Sequence, residues 1–169
     1  VSVHCLPFLS EVIADFPPLD IIEVEAGEVS KSPEVVIQLW SHLLELGVQR
    51  GDVLVCLGGG SVCDVGGFLA ATFKRGIPVV FIPTTLLAMT DAAIGGKNGI
   101  DIDGVKNAVG TIRMPESILV YPGFCDSLAR EEFASGYGEV VKHALLAGGP
   151  LFDEVGRKLV IPEKMKVSL

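Results

Sequence analysis

The sequence predicts an α/β fold, with a parallel sheet and crossover helices over residues 1–126 and the start of a helical region over residues 127–169. Three observations carry that reading. Short unbroken apolar runs, DVLVCL at 52–57 and PVVFIP at 78–83, alternate with stretches of helical period. Three consecutive glycines stand where the first run hands over to a helix. After Ser127 the alternation stops and the helical period continues alone.

Residues 21–25, IIEVE, read as a short strand, and AGEVSK after them as a turn. SPEVVIQLWSHLLELG carries helix punctuation: Ser32 suits the cap, Pro33 the first turn and Gly47 the position past the end. Val36, Leu39, Trp40, Leu43 and Leu44 form its apolar stripe. DVLVCL reads as a strand buried on both faces, VCDVGGFLAATFK as the next helix and PVVFIP as the next strand. Strand, helix and strand at these intervals predict a right-handed βαβ unit. Residues 88–113, rich in Gly, Asp and Asn, read as a long loop or a short hairpin, and SILVYP at 117–122 as a further strand. From Ser127, SLAREEFASGYGEVVKHALL is helical in period, which sets a domain boundary near Phe124 to Leu128.

The 169 residues suffice for one domain and part of a second. A 49% hydrophobic composition and mean hydropathy of +0.52 fit a compact globular chain. No apolar run approaches the roughly 18 residues a membrane span needs, so a soluble chain without a membrane partner is expected. The start has no basic segment and carries acids early, unlike a secretory signal, and it lacks Met, so the true N-terminus is expected upstream. With 21 acids against 13 bases the net charge is −8, which argues against nucleic acid as a partner. Cys5, Cys56, Cys63 and Cys125 form no CxxC pair; Cys56 and Cys63 read as small core residues, and a reducing cytoplasm is the expected compartment.

The glycine turn, Gly58 to Gly60, has two readings of equal weight. Bare backbone at a helix N-terminus admits a pyrophosphate, or the turn is merely tight. GGG-x-x-x-D is not GxGxxG, so it decides nothing alone, and Asp64 either complements the helix dipole or accepts a hydrogen bond from a ligand. The next stretch favours a ligand. Thr84 and Thr85 follow a strand at the edge where ligands collect in such sheets, and Asp91, Lys97, Lys106 and Asn107 follow in one glycine-rich segment. Two lysines and an asparagine suit an anionic, polyhydroxylated ligand. Glu139 and His143, at i and i+4, share a helix face with the spacing of a metal pair, though such pairs are more often surface contacts. His4 and His42 read as incidental.

GGGSVCDVGGF, FKRGIP, PTTLLA, DAAIGGKNGI, GVKN and SGYGEVVKH occur in this order, and with them the sequence resembles the 3-dehydroquinate synthase family, from AGEVSK to VVKHALL. Each motif alone is modest; the ordered set is specific. The resemblance implies a Rossmann-like NAD-binding domain, similar in fold to iron-dependent and glycerol dehydrogenases, followed by a helical metal and substrate domain. It implies NAD, a Zn2+ or Co2+ ion, and a homodimeric intact enzyme. The reaction implied takes 3-deoxy-D-arabino-heptulosonate 7-phosphate to 3-dehydroquinate and phosphate, a lyase step of the shikimate pathway toward aromatic amino acids. Transient oxidation of a ring hydroxyl acidifies the neighbouring proton and lets phosphate leave; reduction, ring opening and aldol closure follow.

Residue by residue, the resemblance puts Glu28 and Lys31 at the adenosine end of NAD. Gly59, Gly60 and Asp64 match its pyrophosphate and ribose contacts, and Thr84 and Thr85 also line it. Phe124, Ser127 and Leu128 fall in the segment that closes over it. Asp91 and Lys142 match residues facing the substrate hydroxyls. Lys97, Asn107 and Arg75 (from a neighbouring subunit) match the phosphate-binding set, and Lys106 the cofactor–substrate boundary. Glu139 matches a metal ligand and His143 does not, so the resemblance keeps Glu139 alone.

The family's other two metal ligands are histidines downstream of this helix, and no histidine follows His143. The first strands of the nucleotide domain are also expected upstream, and GRKLVIPEKMKVSL does not supply the expected helices. The expectation is therefore a central piece of the enzyme that does not turn over substrate alone. Two alternatives stay open: another sugar-phosphate cyclase, or a non-catalytic NAD-binding module. GGKNG favours the dehydroquinate reaction.

Overall fold

The computed structural model describes residue 1, residues 4–7 and residues 19–157. Helix α1 (Pro33–Glu45) starts as its chemistry dictates: Ser32 Oγ accepts from the Val35 N–H at 3.3 Å and Pro33 occupies the first turn. Val36, Leu39 and Leu43 bury its inner face, with Trp40 beside them; Leu44, expected in this stripe, is 62% exposed because it lies on the outer side.

Strand β1 (Leu54–Gly58), helix α2 (Gly60–Thr72) and strand β2 (Val79–Pro83) form the expected βαβ unit, β1 and β2 parallel with Gly58 level with Pro83. Later in the chain, β5 (Ser117–Ile118) joins the other edge of β2, also parallel. Period-2 burial sorts the sheet faces. Cys56, Val79 and Phe81 join the cluster under α1 and α2, while Ile82 joins Cys5, Met89 and Phe124 on the reverse. The expectation that 52–57 is buried on both faces fails in part. Val53 and Val55 are 55% and 51% exposed, because β1 is a sheet edge among the described residues.

Two glycines set how closely α2 lies on its neighbours. A methyl group on Gly66 would strike Cys56 Sγ, and one on Gly67 would strike Asn98 Oδ1. The bare backbone thus brings α2 onto β1 and onto the segment that carries Lys97.

Residues 88–113 resolve the open choice between loop and hairpin. A π-turn (Ala88–Ala92) precedes an antiparallel hairpin of β3 (Lys97–Ile102) and β4 (Val105–Ile112), in which Lys97 faces Ile112. Two readings are shortened. Residues 21–25 form no strand; Ile22 and Val24 pack on the core, but no ladder partner exists among the described residues. The strand expected at 117–122 spans only Ser117–Ile118, because the chain turns into a 3-10 helix at Pro122. That turn, Pro122–Ser127, also delays the next helix, α3 (Arg130–Ala147), beyond its expected start at Ser127; α4 (Gly149–Arg157) follows. Residues 158–169, most of the terminal stretch, lie outside the described residues.

Candidate functional site

The site is built where β1 and β2 end side by side. The Thr84 N–H donates to Gly58 O at 2.8 Å, locking the glycine turn to the threonine turn. None of Gly58, Gly59 and Gly60 has positive φ, so their value lies in room rather than backbone freedom. A methyl on Gly58 would lie 2.6 Å from Val62, which packing alone explains. On Gly59 and Gly60 it would meet Thr85 Cγ2 at 3.1 Å and Ala92 Cβ at 3.3 Å. The first N–H groups of α2, at Gly60 and Ser61, have no partner within the helix, and the helix dipole adds partial positive charge there. This corner can receive an anion. Thr84 is buried, and Thr85 Oγ1 accepts from the Ala88 N–H at 3.1 Å, so both threonines shape the turn.

A polar network links this corner to the hairpin. Lys31, only 3% exposed, donates to Asp64 Oδ2 at 2.8 Å and to Asn107 Oδ1 at 2.7 Å, and lies 3.9 Å from Asp101. At the rim, Glu28 pairs with Lys106 at 3.2 Å and accepts from Ser61 Oγ at 3.1 Å. Burial works against the charge of Glu28, yet Lys106, Lys31 and Ser61 together hold its carboxyl below the usual range. At Asp64 burial wins: its carboxyl sits above the usual aspartate range although Lys31 pulls it down.

Between Asp64 of α2, the turn at Asp91 and the hairpin opens a cleft of about 400 Å³, lined also by Lys97, Asn98, Asn107 and Thr111. Lys97, Lys106 and Asn107 are exposed, Lys106 with its ammonium paired to Glu28 and Asn107 with its amide oxygen turned to Lys31. Asn107 holds a left-handed backbone (φ 51°) and gives its N–H to Asp101 Oδ1 at 2.7 Å.

Helix α3 seats on the Leu86–Leu87 turn through Gly136, where a methyl would strike the Leu87 backbone nitrogen. That close approach brings Glu139 and His143 to Asp91: one donor atom from each lies within 4.8 Å of the others. His143 Nε2 is 3.8 Å from Glu139 Oε2 and 3.9 Å from Asp91 Oδ1, and it is buried without a hydrogen-bond partner. Glu139 Oε2 is ion-paired with Lys142 but likewise accepts no well-aligned hydrogen bond. An orphaned imidazole nitrogen facing two carboxylate oxygens is a donor set that suits a divalent cation such as zinc or cobalt. The Glu139 carboxylate holds the Lys142 ammonium above the usual lysine range.

Other expected residues stand apart from the cleft. Arg75 is exposed beyond the C-terminal end of α2, whose 13 residues span about 20 Å. The Phe124 ring is 2% exposed, packed with Cys5, Ile82 and Met89 and edge-on to Tyr121, so it anchors its segment from beneath. Ser127 is exposed and donates to Phe124 O at 3.0 Å; Leu128 is half-buried. Sequence reasoning missed Asn98, Asp101 and Thr111, and set His143 aside. Asn98 was inside the quoted GGKNG motif; Asp101 and Thr111 carried no signal of their own.

A family model described as 3-dehydroquinate synthase N-terminal matches residues 21–135. The 3-dehydroquinate synthase of Parabacteroides distasonis is 43% identical over 143 residues, 85% of this chain and 40% of that protein. A crystal structure of 2-deoxy-scyllo-inosose synthase, complexed with carbaglucose-6-phosphate, NAD+ and Co2+, matches with a TM-score of 0.79 and 26% identity. It covers 86% of this chain and 40% of that one. The 2-epi-5-epi-valiolone synthase from Streptomyces hygroscopicus subsp. jinggangensis, with NAD+ and Zn2+ bound, matches with a TM-score of 0.68 and 34% identity, over 70% of this chain and 33% of that one. The chain spans about 40% of the length of the curated relatives it matches.

Proposed function

We propose, from the premise that this chain belongs to the 3-dehydroquinate synthase family, that it carries the NAD-binding region and part of the metal site of an enzyme making 3-dehydroquinate and phosphate from 3-deoxy-D-arabino-heptulosonate 7-phosphate. The observation that carries this reading is the cleft itself, where an acceptor at Asp64 and the cationic and amide groups of Lys97 and Asn107 line one space, Asp64 standing on the helix whose N-terminus is the bare glycine turn. We read it as part of a carbon–oxygen lyase of the shikimate pathway, at work in the cytoplasm as a homodimer.

The Gly59–Gly60 turn would receive the dinucleotide diphosphate and Asp64 a ribose hydroxyl, as the bare turn and the free carboxylate oxygen allow. Glu139 would hold the divalent cation, with His143 and Asp91 aimed at the same point. Bound NAD supplies the hydride acceptor and the cation stabilises negative charge on a substrate oxygen. Asp91 and Lys142 orient the substrate hydroxyls, and Lys97, Asn107 and the Arg75 of a neighbouring copy hold the phosphate as it departs. Fixed cations beside a departing phosphate favour the separated charge without reorganising during the step.

Phosphate release from 3-deoxy-D-arabino-heptulosonate 7-phosphate, measured with a protein of the relatives' length carrying this segment, tests the reading. Release that depends on NAD and metal is expected, and its absence overturns it. The same assay on the 169-residue chain tests the expectation that it does not turn over alone. A second reading, a cyclase for another sugar phosphate, is favoured by the fold shared with 2-deoxy-scyllo-inosose synthase. Faster release from a heptulose phosphate lacking the carboxylate would establish it instead.

A further inference from the structure

Lys31 is buried among partners from distant parts of the chain. Its side chain is 4% exposed, and its ammonium is engaged by Asp64 and Asn107, residues 33 and 76 positions away in the chain. An ammonium group only donates, so it selects which end of each partner faces it. At Asn107 it takes the amide oxygen, at 2.7 Å, and leaves the NH2 group as the side chain's free hydrogen-bonding end. At Asp64 it takes Oδ2, at 2.8 Å, and leaves Oδ1 as an acceptor. Both residues line the same cleft. The Asn107 backbone is held as well, through its N–H to Asp101.

We propose that Lys31 is a positioning residue that sets the hydrogen-bonding polarity of two subsites, a donor at Asn107 for a phosphate group and an acceptor at Asp64 for a hydroxyl. The amide of Asn107 is otherwise free to turn its oxygen toward an anion, which would repel it. Burial makes the arrangement persistent, since an ammonium withdrawn from water keeps its partners. This inference rests on the reading of the cleft as a site for a phosphorylated, hydroxyl-rich ligand.

The test is titration of the whole chain with inorganic phosphate, followed by calorimetry and by the side-chain amide resonances of Asn107. In the unmodified chain phosphate is expected to bind and to shift the Asn107 NH2 signals. Lys31→Met is expected to weaken phosphate binding about tenfold, the loss of one charge-assisted hydrogen bond at the amide. In the double variant with Asn107→Ala, the Lys31 change is expected to add nothing to the Asn107 change alone. A brace with no role in orientation would lower thermal stability in Lys31→Met but leave the two effects on phosphate additive, and that additivity overturns the inference. Should Lys31→Met not fold, unshifted Asn107 NH2 signals in the phosphate-bound unmodified chain overturn it equally. No phosphate binding at all in the unmodified chain overturns both this inference and the reading of the cleft. Binding that Asn107→Ala weakens and Lys31→Met leaves unchanged overturns this inference alone.

Discussion

Cys63, with 0% exposure, shows how far a side chain's behaviour departs from its type once it is buried. Burial, followed by the nearby charge of Asp64, pushes its thiol up to about 12 from 9.0, and burial raises Cys56 further still. At pH 8 the native chain therefore presents almost no thiolate at either position, on the order of one part in ten thousand at Cys63. Native-state titration with a thiol reagent is expected to leave both unmodified until the chain unfolds; rapid labelling at pH 8 would refute this burial. The linkage has a definite sign. Below pH 9 both folded and unfolded thiols are protonated, so they add no pH dependence. Between 9 and about 12 the unfolded thiol ionises first, and stability is expected to fall as pH rises through that window, by up to about 1.4 kcal/mol per unit for each group. Urea unfolding midpoints across pH 7 to 11 check it.

Helix α3 carries two glycines whose substitutions have opposite expected signs. A methyl at Gly138 meets nothing within 4 Å, so Gly138→Ala is expected to stabilise the chain by about 1 kcal/mol, the helix propensity difference. A methyl at Gly136 meets the backbone of Leu87 and lies 2.8 Å from the carbonyl carbon of Leu86, atoms that cannot turn aside. Overpacking of that kind costs about 1–3 kcal/mol and outweighs the propensity gain. Gly136→Ala is also expected to move Glu139 and His143 away from Asp91 and so weaken Co2+ binding, read by its visible absorption. Equal stabilisation by both substitutions would show that α3 does not seat on the Leu86–Leu87 turn. The legibility of such elements differed for physical reasons. Ser32 and Pro33 announced α1 because caps act on the nearest few residues. The short helix at Pro122–Ser127 was hidden, since the apolar period of 117–120 runs into it unbroken.

Across the whole molecule, Arg75 and Asp64 sit at opposite ends of α2, and Arg75 does not line the cleft that holds Asp64 and Lys97. If a second copy supplies Arg75 to the phosphate site, neither Arg75→Ala nor Lys97→Ala binds phosphate fully on its own. In a two-fold dimer of one variant with the other, one site has lost both residues and the other neither. Mixing the two variants is therefore expected to restore binding to roughly a quarter of all sites. No recovery on mixing would place both residues in one copy's site or remove Arg75 from it.

What the chain's linear order determined by itself is the layout: a βαβ unit, a glycine corner at its strand-to-helix junction, threonines at the next strand end, and a helix bearing Glu139, Lys142 and His143. Those features are local, since apolar period, caps and glycine clusters act over a turn or a strand. Only the tertiary structure decided which polar atoms face one another. It spent Lys31 on Asp64 and Asn107, joined His143 to Asp91 across 52 positions, and left residues 21–25 without a ladder partner among the described residues. Donor–acceptor pairing, unlike hydrophobic period, has no signature along the chain, because it depends on distances of about 3 Å that exist only after packing.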